Sequence, residues 1–319
     1  MNFPHLAGLL LFTLLSLSAR AETAIVLNSV DENISFIDTQ TYKETGRAPA
    51  CKEPHHLMAT PDDSSVIVAC AISNELVFFD AKTGKEQKRI KNISDPYQLG
   101  FSPDNKWFVA NSLRLDRVDI YKAADFTLVA RVPAASTPSH MAFDKASQFV
   151  FMTLQDSNEV LAIDLKTQQP LWKVPVGPTP AGIHMTPDDK YLLVGIMGAN
   201  YVEVIDWRAR KTVKKIITDK AAHNFLPRGD GRHVFVSNRT VQGSISLVDM
   251  KTLTEVEKYD VPGGPDDMEI RADGKELWAT ARFARKVQVV DLDQKKLARS
   301  IPVGRSPHGV SFINHAGRQ

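Results

Sequence analysis

The sequence predicts an all-β protein, a seven-bladed β-propeller, and three observations predict it. Seven short strand-like segments recur along the chain, with last residues 42 or 43 positions apart. A period near 42 residues is typical of a four-stranded propeller blade. Turns rich in Pro and Asp separate the apolar runs of every period, and no stretch shows a helical apolar period. The segments end at Asp38, Asp80, Lys122, Asp164, Asp206, Asp249 and Asp291.

Each period contains four strands in the same order. The first follows a proline, as in Pro54–Ala59, and leads into a turn such as residues 60–64, where Pro presets φ and Asp accepts backbone hydrogen bonds. The second strand, such as residues 66–70, is apolar, and the third is the segment with the recurring end. The fourth, such as residues 85–91, is polar. Polarity rises outward because the inner strands are sandwiched between blades, whereas the last strand faces water.

The two ends of the repeat predict a closed ring. The repeats begin on a second strand, residues 24–27, and end on a first strand, residues 308–312. These two strands would pair to complete the seventh blade and so hide both free sheet edges. The chain has 319 residues, which by length alone suggests two domains. Ring closure instead favours one propeller domain over residues 22–319.

The first 21 residues predict a secretory signal peptide. Residues 6–17 form an apolar run too short to span a bilayer, and Ala19 and Ala21 have the spacing of a cleavage site. Cleavage removes Arg20 and no acid, which leaves a net charge of +1. We therefore expect a periplasmic or secreted protein without a membrane span in its mature form. The near-neutral charge gives no reason to expect a nucleic-acid partner.

Five stretches carry the turn and blade-entry patterns of the repeat most clearly: residues 102–111, 186–194, 234–238, 176–183 and 303–310. In these stretches the repeats resemble the YVTN-type seven-bladed β-propellers, and the resemblance covers essentially the whole mature chain. Exported and periplasmic proteins of that family, lactonase-like enzymes and cofactor-bearing domains of respiratory enzymes share these repeats. The resemblance therefore implies the fold and leaves the function to the site residues.

The candidate site rests on where the histidines fall. The first strand of each blade lines the axial channel, and the loop before it forms one channel mouth. Five of the eight histidines of the mature chain fall in the two columns that follow the recurrent proline. The first column is His55, Tyr97, Ser139, Ala181, His223, Asp266 and His308. The second is His56, Gln98, His140, Gly182, Asn224, Asp267 and Gly309.

Three interpretations of these columns stay open. The side chains could bond loop carbonyls between blades, as polar lining of a wet channel. Alternatively, a transition metal, copper or zinc, or a metallocofactor could be held, since imidazoles are ligands of such ions. A catalytic role would use Asp266 or Asp267 beside His223, because paired carboxylates can hold a proton above its usual pKa. The predicted metal ligands are His55, His56, His140, His223 and His308.

The turns between second and third strands should share this mouth, and three of their arginines are candidate ligand-binding residues. Arg239, Arg282 and Arg285 could hold a carboxylate or phosphate through paired hydrogen bonds, although solvated loop charges would look the same. Cys51 and Cys70 could form a disulfide in an oxidising compartment. Unpaired buried thiols and a thiolate–imidazole metal site with His55 and His56 are the alternatives.

The functional hypothesis is an exported, monomeric propeller that binds a ligand at its histidine-lined mouth or serves as a scaffold. Among the enzyme signatures, a nucleophile elbow, a phosphate-binding glycine loop, a zinc-protease helix and a haem attachment site are all missing from the sequence. This favours a non-enzyme. One alternative is a lactonase-type hydrolase that uses the Asp and His residues of the mouth. The other is a platform for a periplasmic protein partner, without a small ligand.

Overall fold

The computed structural model describes residues 22–81 and 83–312, and this part of the chain consists of β-strands joined by turns, without a helix. No described segment has the length and apolarity of a membrane-spanning helix. The predicted signal peptide, residues 1–21, lies outside the described residues, as do residues 313–319 of the predicted domain.

The strands are short and nearly uniform, at six or seven residues each. The first fourteen are β1 (Thr23–Asn28), β2 (Asn33–Asp38), β3 (Lys43–Pro49), β4 (Pro54–Ala59), β5 (Ser65–Cys70), β6 (Glu75–Asp80), β7 (Glu86–Lys91), β8 (Pro96–Phe101), β9 (Trp107–Ser112), β10 (Arg117–Lys122), β11 (Leu128–Pro133), β12 (Pro138–Phe143), β13 (Phe149–Leu154) and β14 (Glu159–Asp164). The others are β15 (Gln169–Pro175), β16 (Pro180–Met185), β17 (Tyr191–Ile196), β18 (Tyr201–Asp206), β19 (Lys211–Ile217), β20 (Ala222–Pro227), β21 (His233–Asn238), β22 (Ser244–Asp249), β23 (Thr254–Asp260), β24 (Pro265–Ile270), β25 (Glu276–Ala281), β26 (Lys286–Asp291), β27 (Lys296–Pro302) and β28 (Pro307–Phe312).

These strands form seven antiparallel sheets of four strands, which confirms the predicted fold. Six sheets use four consecutive strands, from β4–β7 to β24–β27, and the seventh has the order β28-β1-β2-β3. In this composite blade Val26 pairs with Val310, so the two ends of the described chain complete one sheet. The innermost strand of each blade contacts that of the next, around a closed ring.

The apolar cores lie between neighbouring blades. Phe78 of the β4–β7 blade packs with Phe108 of the β8–β11 blade, and Trp278 of β25 packs with Phe312 of β28. Second and third strands are almost wholly buried, whereas outer strands such as β7 are mostly exposed. Apolar surface removed from water is the main source of stability. The outward rise in polarity therefore follows from the sandwiching of the inner strands.

The recurring Asp at the end of the third strand has a structural role. Asp38 Oδ1 accepts hydrogen bonds from the backbone N–H groups of Gln40 and Thr41, at 3.0 and 2.7 Å. Asp164 and Asp249 repeat this pattern in their own turns. The carboxylate thus satisfies donors that the turn leaves outside the sheet ladder. This column belongs to the fold and lies apart from the channel mouth.

Cys51 and Cys70 form a disulfide in the structure, with a Cα–Cα distance of 5.8 Å. Cys70 ends β5, where it pairs with Pro54 of β4, and Cys51 lies in the loop that leads into β4. The disulfide therefore joins that loop to β5, the strand after the one that contains His55. Because both sulfur atoms are bonded, this arrangement does not supply a thiolate for a metal site.

Removing this disulfide should weaken the fold without changing its topology. For Cys51→Ala with Cys70→Ala we expect the free energy of unfolding to fall by about 3 kcal/mol, because the loop between the two cysteines regains its freedom in the unfolded chain. Urea unfolding followed by tryptophan fluorescence measures the loss. A reductant should shift the wild-type midpoint toward that of the variant and leave the variant unchanged. Equal midpoints for all samples would contradict the prediction.

Candidate functional site

Proline places the candidate residues at the start of the inner strands. Six inner strands begin with proline, and the residue that follows it opens the channel mouth; Ala222 takes this place in β20. Proline has no N–H to donate, so it suits the first position of a strand. Hydroxyl groups on second strands then bond the first strand of the next blade. Ser237 donates to the Asp266 carbonyl at 3.0 Å, and Thr280 donates to the His308 carbonyl at 3.2 Å.

Five aromatic rings from five blades follow one another around the mouth. His55 lies between Tyr97 and His308, with ring centroids 3.9 and 3.8 Å away. His140 lies 6.1 Å from Tyr97 and 5.2 Å from His223, edge to face in both cases. All four histidines are buried. We call these five residues the aromatic ring. Its members come from distant parts of the sequence and meet only because the blades close into a circle.

Asp266 fills the gap in the aromatic ring between His223 and His308. Its Oδ1 lies 3.1 Å from His223 Nδ1, and its Oδ2 lies 3.7 Å from His308 Nε2. Two guanidinium groups approach the same carboxylate: Oδ2 is 3.3 Å from Arg239 Nη1 and 3.4 Å from Arg282 Nη1. Both arginines are the first residues of turns between second and third strands, as the sequence predicts for this mouth. We call Asp266, Arg239 and Arg282 the charged triad.

Burial keeps the imidazoles of the aromatic ring neutral. It lowers the pKa of His140 to about 4 and that of His308 to about 3, although the Asp266 charge opposes the shift. The pKa values of His55 and His223 also lie well below the usual range, with burial again the largest cause. At neutral pH each ring therefore offers one nitrogen lone pair and one N–H.

The charges around Asp266 keep its carboxyl group ionised. Burial alone would raise its pKa, but His308, His223, Arg239 and Arg282 lower it to well below the usual range. With the imidazoles neutral, the two guanidinium groups provide the permanent positive charge. Within the charged triad, two cations and one carboxylate give a net charge of +1, and the side chain of Asp267 lies nearby.

His223 Nδ1 and Asp266 Oδ1 lie 3.1 Å from each other. Nε2 of His223 and Nδ1 of His308 have no hydrogen-bond partner among the described residues. The space that the surrounding side chains enclose is about 10 Å³, about enough for one water molecule. A buried polar atom without a partner costs about 1–3 kcal/mol. These atoms can therefore bond a small ligand group that reaches the ring.

The structure shows where each predicted site residue lies. His55, His140, His223 and His308 join the aromatic ring, and His56 and Asp267 line the same small space. Asp267 also links blades, because its Oδ2 accepts from the Val310 N–H at 3.3 Å. The pKa of Asp266 is lowered, which is opposite to the raised value of a proton-sharing pair.

Arg285 lies in the same turn as Arg282, but its side chain is exposed and makes no ion pair with a described residue. Tyr97 and Met197 are additional members of the mouth. Tyr97 stands in the first column of the sequence, so its position could have marked it. Met197 Sδ lies 3.3 Å from Arg239 Nη2, and no sequence pattern indicates this contact.

Among the residues that the structure describes, no three His, Cys, Asp or Glu side chains are grouped so as to hold one metal ion. The metal ligand set therefore stays a prediction. The charged triad weighs against it, because a cation bound at Asp266 would lie beside two guanidinium groups. Like charges at such distances repel strongly in a buried site.

Comparisons with known proteins agree with the fold. Residues 8–318 match the model of the YNCE-like β-propeller family. The chain is 22% identical to protein NirF of Pseudomonas aeruginosa over 225 residues, which is 63% of this chain and 56% of that relative's length. The finer assignment to YVTN-type repeats stays a prediction.

Three solved structures show the same architecture. A functionally unknown protein from Desulfotomaculum acetoxidans is 14% identical and has a TM-score of 0.79, with 93% of this chain and 100% of that chain covered. Kuenenia stuttgartiensis hydrazine synthase is 16% identical with a TM-score of 0.69, over 80% and 88% of the two chains. The dihydro-heme d1 dehydrogenase NirN, in complex with DHE, is 14% identical with a TM-score of 0.66, over 91% and 75%. At these identities the likeness shows the fold alone.

Proposed function

We propose that this chain, which belongs to the YNCE-like β-propeller family, is a ligand-binding protein that takes an anion at the mouth of its axial channel. The observation that carries the proposal is the charged triad, a buried cluster of net positive charge that opens to the mouth through partly exposed arginines. The exposed fractions of the Arg239 and Arg282 side chains are 18% and 32%.

The two arginines keep donors for such a ligand. Each guanidinium has five N–H donors. Contacts with described residues use two of them on Arg239, to Asp266 and Met197, and two on Arg282, to Asp266 and Ser306. Asp266 fixes both groups in place, so little side-chain entropy is lost when an anion binds. A carboxylate or phosphate matches the planar fork of arginine.

A tetrapyrrole does not fit among the imidazoles of the aromatic ring. The likeness to NirN, a dihydro-heme d1 dehydrogenase, raises this class of ligand. The space beside the rings is about 10 Å³, however, whereas pockets for organic ligands have about 300–1,000 Å³. We therefore propose that the ligand lies above the ring, on the arginines, rather than between the histidines.

We also propose that the protein is exported and works in the periplasm or outside the cell. The Ala19 and Ala21 spacing supports cleavage of a leader, and the disulfide between Cys51 and Cys70 suits an oxidising compartment. A monomeric state and a protein partner stay predictions. No geometry favours the hydrolase alternative, since Asp266 is fully buried and Asp267 links two blades.

The direct test is binding of acetate and inorganic phosphate, followed by NMR of the histidine side chains. Wild-type protein should show saturable shifts of the ring signals. Arg239→Ala and Arg282→Ala should each weaken binding at least tenfold, because each removes charge-assisted hydrogen bonds worth about 1.5–3 kcal/mol. Arg282→Lys keeps the charge but not the fork, and should bind more weakly than wild type.

Arg285→Ala is the matched control, since it removes the same charge from the same turn. It should change the affinity by less than threefold. Zinc chloride and copper chloride titrations complete the test. One equivalent of bound metal, lost in His223→Ala, together with no anion binding would overturn the proposal and favour the metal interpretation.

A further inference from the structure

The mouth offers apolar surface directly beside the two arginines. Val241 follows Arg239 in the β21–β22 turn, and Phe283 follows Arg282 in the β25–β26 turn. Their exposed fractions are 64% and 55%. A single exposed apolar side chain needs no explanation. Val241 and Phe283, however, each lie within two residues of an arginine of the charged triad.

One loop lies against the backbone of both turns. This loop leads into β24 and Asp266. The N–H of Gly263 donates to the Val241 carbonyl at 2.8 Å, and the N–H of Phe283 donates to the Gly263 carbonyl at 2.9 Å. The Phe283 ring lies against Gly264 so closely that a Cβ there would have no room.

Both glycines of this loop also have a conformation that favours glycine. Their φ angles are +102° at Gly263 and +75° at Gly264, in the region that residues with a Cβ rarely adopt. The Gly-Gly pair is thus needed for the backbone conformation of the turn and for the close packing of the Phe283 ring on it. The ring packs on this loop with one face, while more than half of its surface stays in water.

On the other side, Arg239 Nη2 touches the Met197 sulfur at 3.3 Å, and Met197 is half-buried. The thioether extends the apolar surface into the neighbouring blade. We call Met197, Val241 and Phe283 the apolar shelf. It borders the charged triad, so positive donors and apolar surface meet at one place on the mouth.

From this juxtaposition we propose that the ligand is an amphiphilic carboxylate, with its head group on Arg239 and Arg282 and its hydrocarbon part on the apolar shelf. The inference rests on the proposed function and names the class of its ligand. A purely polar anion would leave the shelf in water, whereas a hydrocarbon chain or aromatic ring next to the carboxylate would cover it. Covering apolar surface is favourable in proportion to its area.

The experiment measures the affinity for acetate, butanoate, hexanoate and octanoate by titration calorimetry with the full mature protein. A fully buried methylene group is worth about a fourfold gain in affinity. Because the shelf can cover one side of the chain, we expect about a twofold gain for each methylene. Octanoate should then bind roughly fifty- to a hundredfold more tightly than acetate.

Phe283→Ser tests the shelf itself. It should leave acetate affinity unchanged and reduce the gain from acetate to octanoate at least fivefold. Leu115→Ser is the matched control, because Leu115 is 46% exposed in the equivalent turn of the β8–β11 blade, three blades away around the ring. It should keep the wild-type dependence on chain length.

The outcomes separate this inference from the proposed function. Carboxylates that bind with equal affinity at every chain length, or a gain that survives Phe283→Ser, would overturn the amphiphilic ligand and leave the anion site standing. Failure of all four carboxylates and of phosphate to bind would overturn the anion site itself. A loss of chain-length dependence in Leu115→Ser as well would show unspecific association, which also contradicts the inference.

Discussion

Asp266→Asn should lower the free energy of unfolding by about 3 kcal/mol. The substitution keeps the size of the side chain but removes the carboxylate charge that Arg239 and Arg282 share. Breaking a buried ion pair from one side costs about 3–5 kcal/mol, because it leaves the partner charge uncompensated. The lower end applies here, since both guanidinium groups retain some contact with water. Urea unfolding at pH 7, followed by tryptophan fluorescence, measures the change.

Asp31→Asn is the control for this prediction. Asp31 also pairs with an arginine, Arg305, through its carboxylate, but that arginine is 53% exposed. Exposed pairs contribute about 0–1 kcal/mol. A double variant with Arg239→Met should recover part of the loss, because it removes one of the two unpaired charges. Equal losses for Asp266→Asn and Asp31→Asn would contradict the view that the charged triad is a buried, coupled unit.

Mild acid should destabilise the protein strongly, over a pH range that the pKa values of the buried histidines determine. An imidazole in the unfolded chain takes up its proton near pH 6.5, whereas burial lowers the pKa of His140 and His184 to about 4 and that of His308 to about 3. Between these limits the unfolded state binds more protons than the folded state. Stability is therefore full above pH 6.5 and is lost as the pH falls toward 4.

The loss should reach several kcal/mol between pH 7 and pH 4, because five histidines have lowered pKa values and each pKa unit is worth about 1.4 kcal/mol. Asp266 acts in a lower range: its pKa is lowered, so its contribution is lost only below about pH 4. Unfolding midpoints in urea at several pH values follow both effects. Above pH 4 the slope comes from the histidines, and below it Asp266 adds to the continuing contribution of His308, whose pKa is about 3.

His140→Asn should flatten the slope between pH 4 and 6.5, since it removes one group that cannot accept a proton in the folded state. A pH-independent midpoint in wild type from pH 7 to pH 4 would contradict the burial of neutral imidazoles.

The fold could be predicted almost completely from the sequence, because its determinants are local and repeated seven times. The turn residues, the apolar second strands and the polar outer strands return every 42 or 43 positions. Asp38 shows why the pattern is so regular: its carboxylate bonds N–H groups of the very next turn. Such contacts depend on neighbouring residues and therefore leave a signature that can be read directly.

For the candidate site, the sequence could predict only the two columns of positions in which its residues fall. The alignment of blades places His55, His223, Asp266 and His308 at one mouth, and the structure brings them together. The sequence could not distinguish Asp266 from Asp267, because both line the same small space and only their contacts with other blades differ. One carboxylate meets two arginines and the other bonds the backbone of the next blade.

The same limit applies to the arginines and to the apolar shelf. Arg282 and Arg285 lie three positions apart in one turn, yet only Arg282 contacts Asp266, because side-chain direction depends on the local φ and ψ angles. The contact of Arg239 with Met197 crosses between blades. Likewise, the sequence favoured a disulfide between Cys51 and Cys70 but left two alternatives open, and the structure shows the disulfide.

The sequence by itself therefore determined the number of blades, the order of their strands and the columns of first-strand residues at the channel mouth, since each of these follows from a local pattern and its period. The tertiary structure decided which side chains meet, which carboxylate is buried beside two arginines, and where apolar surface borders the arginines. These properties depend on distances between blades that are far apart in the chain, and such distances exist only after the ring has closed.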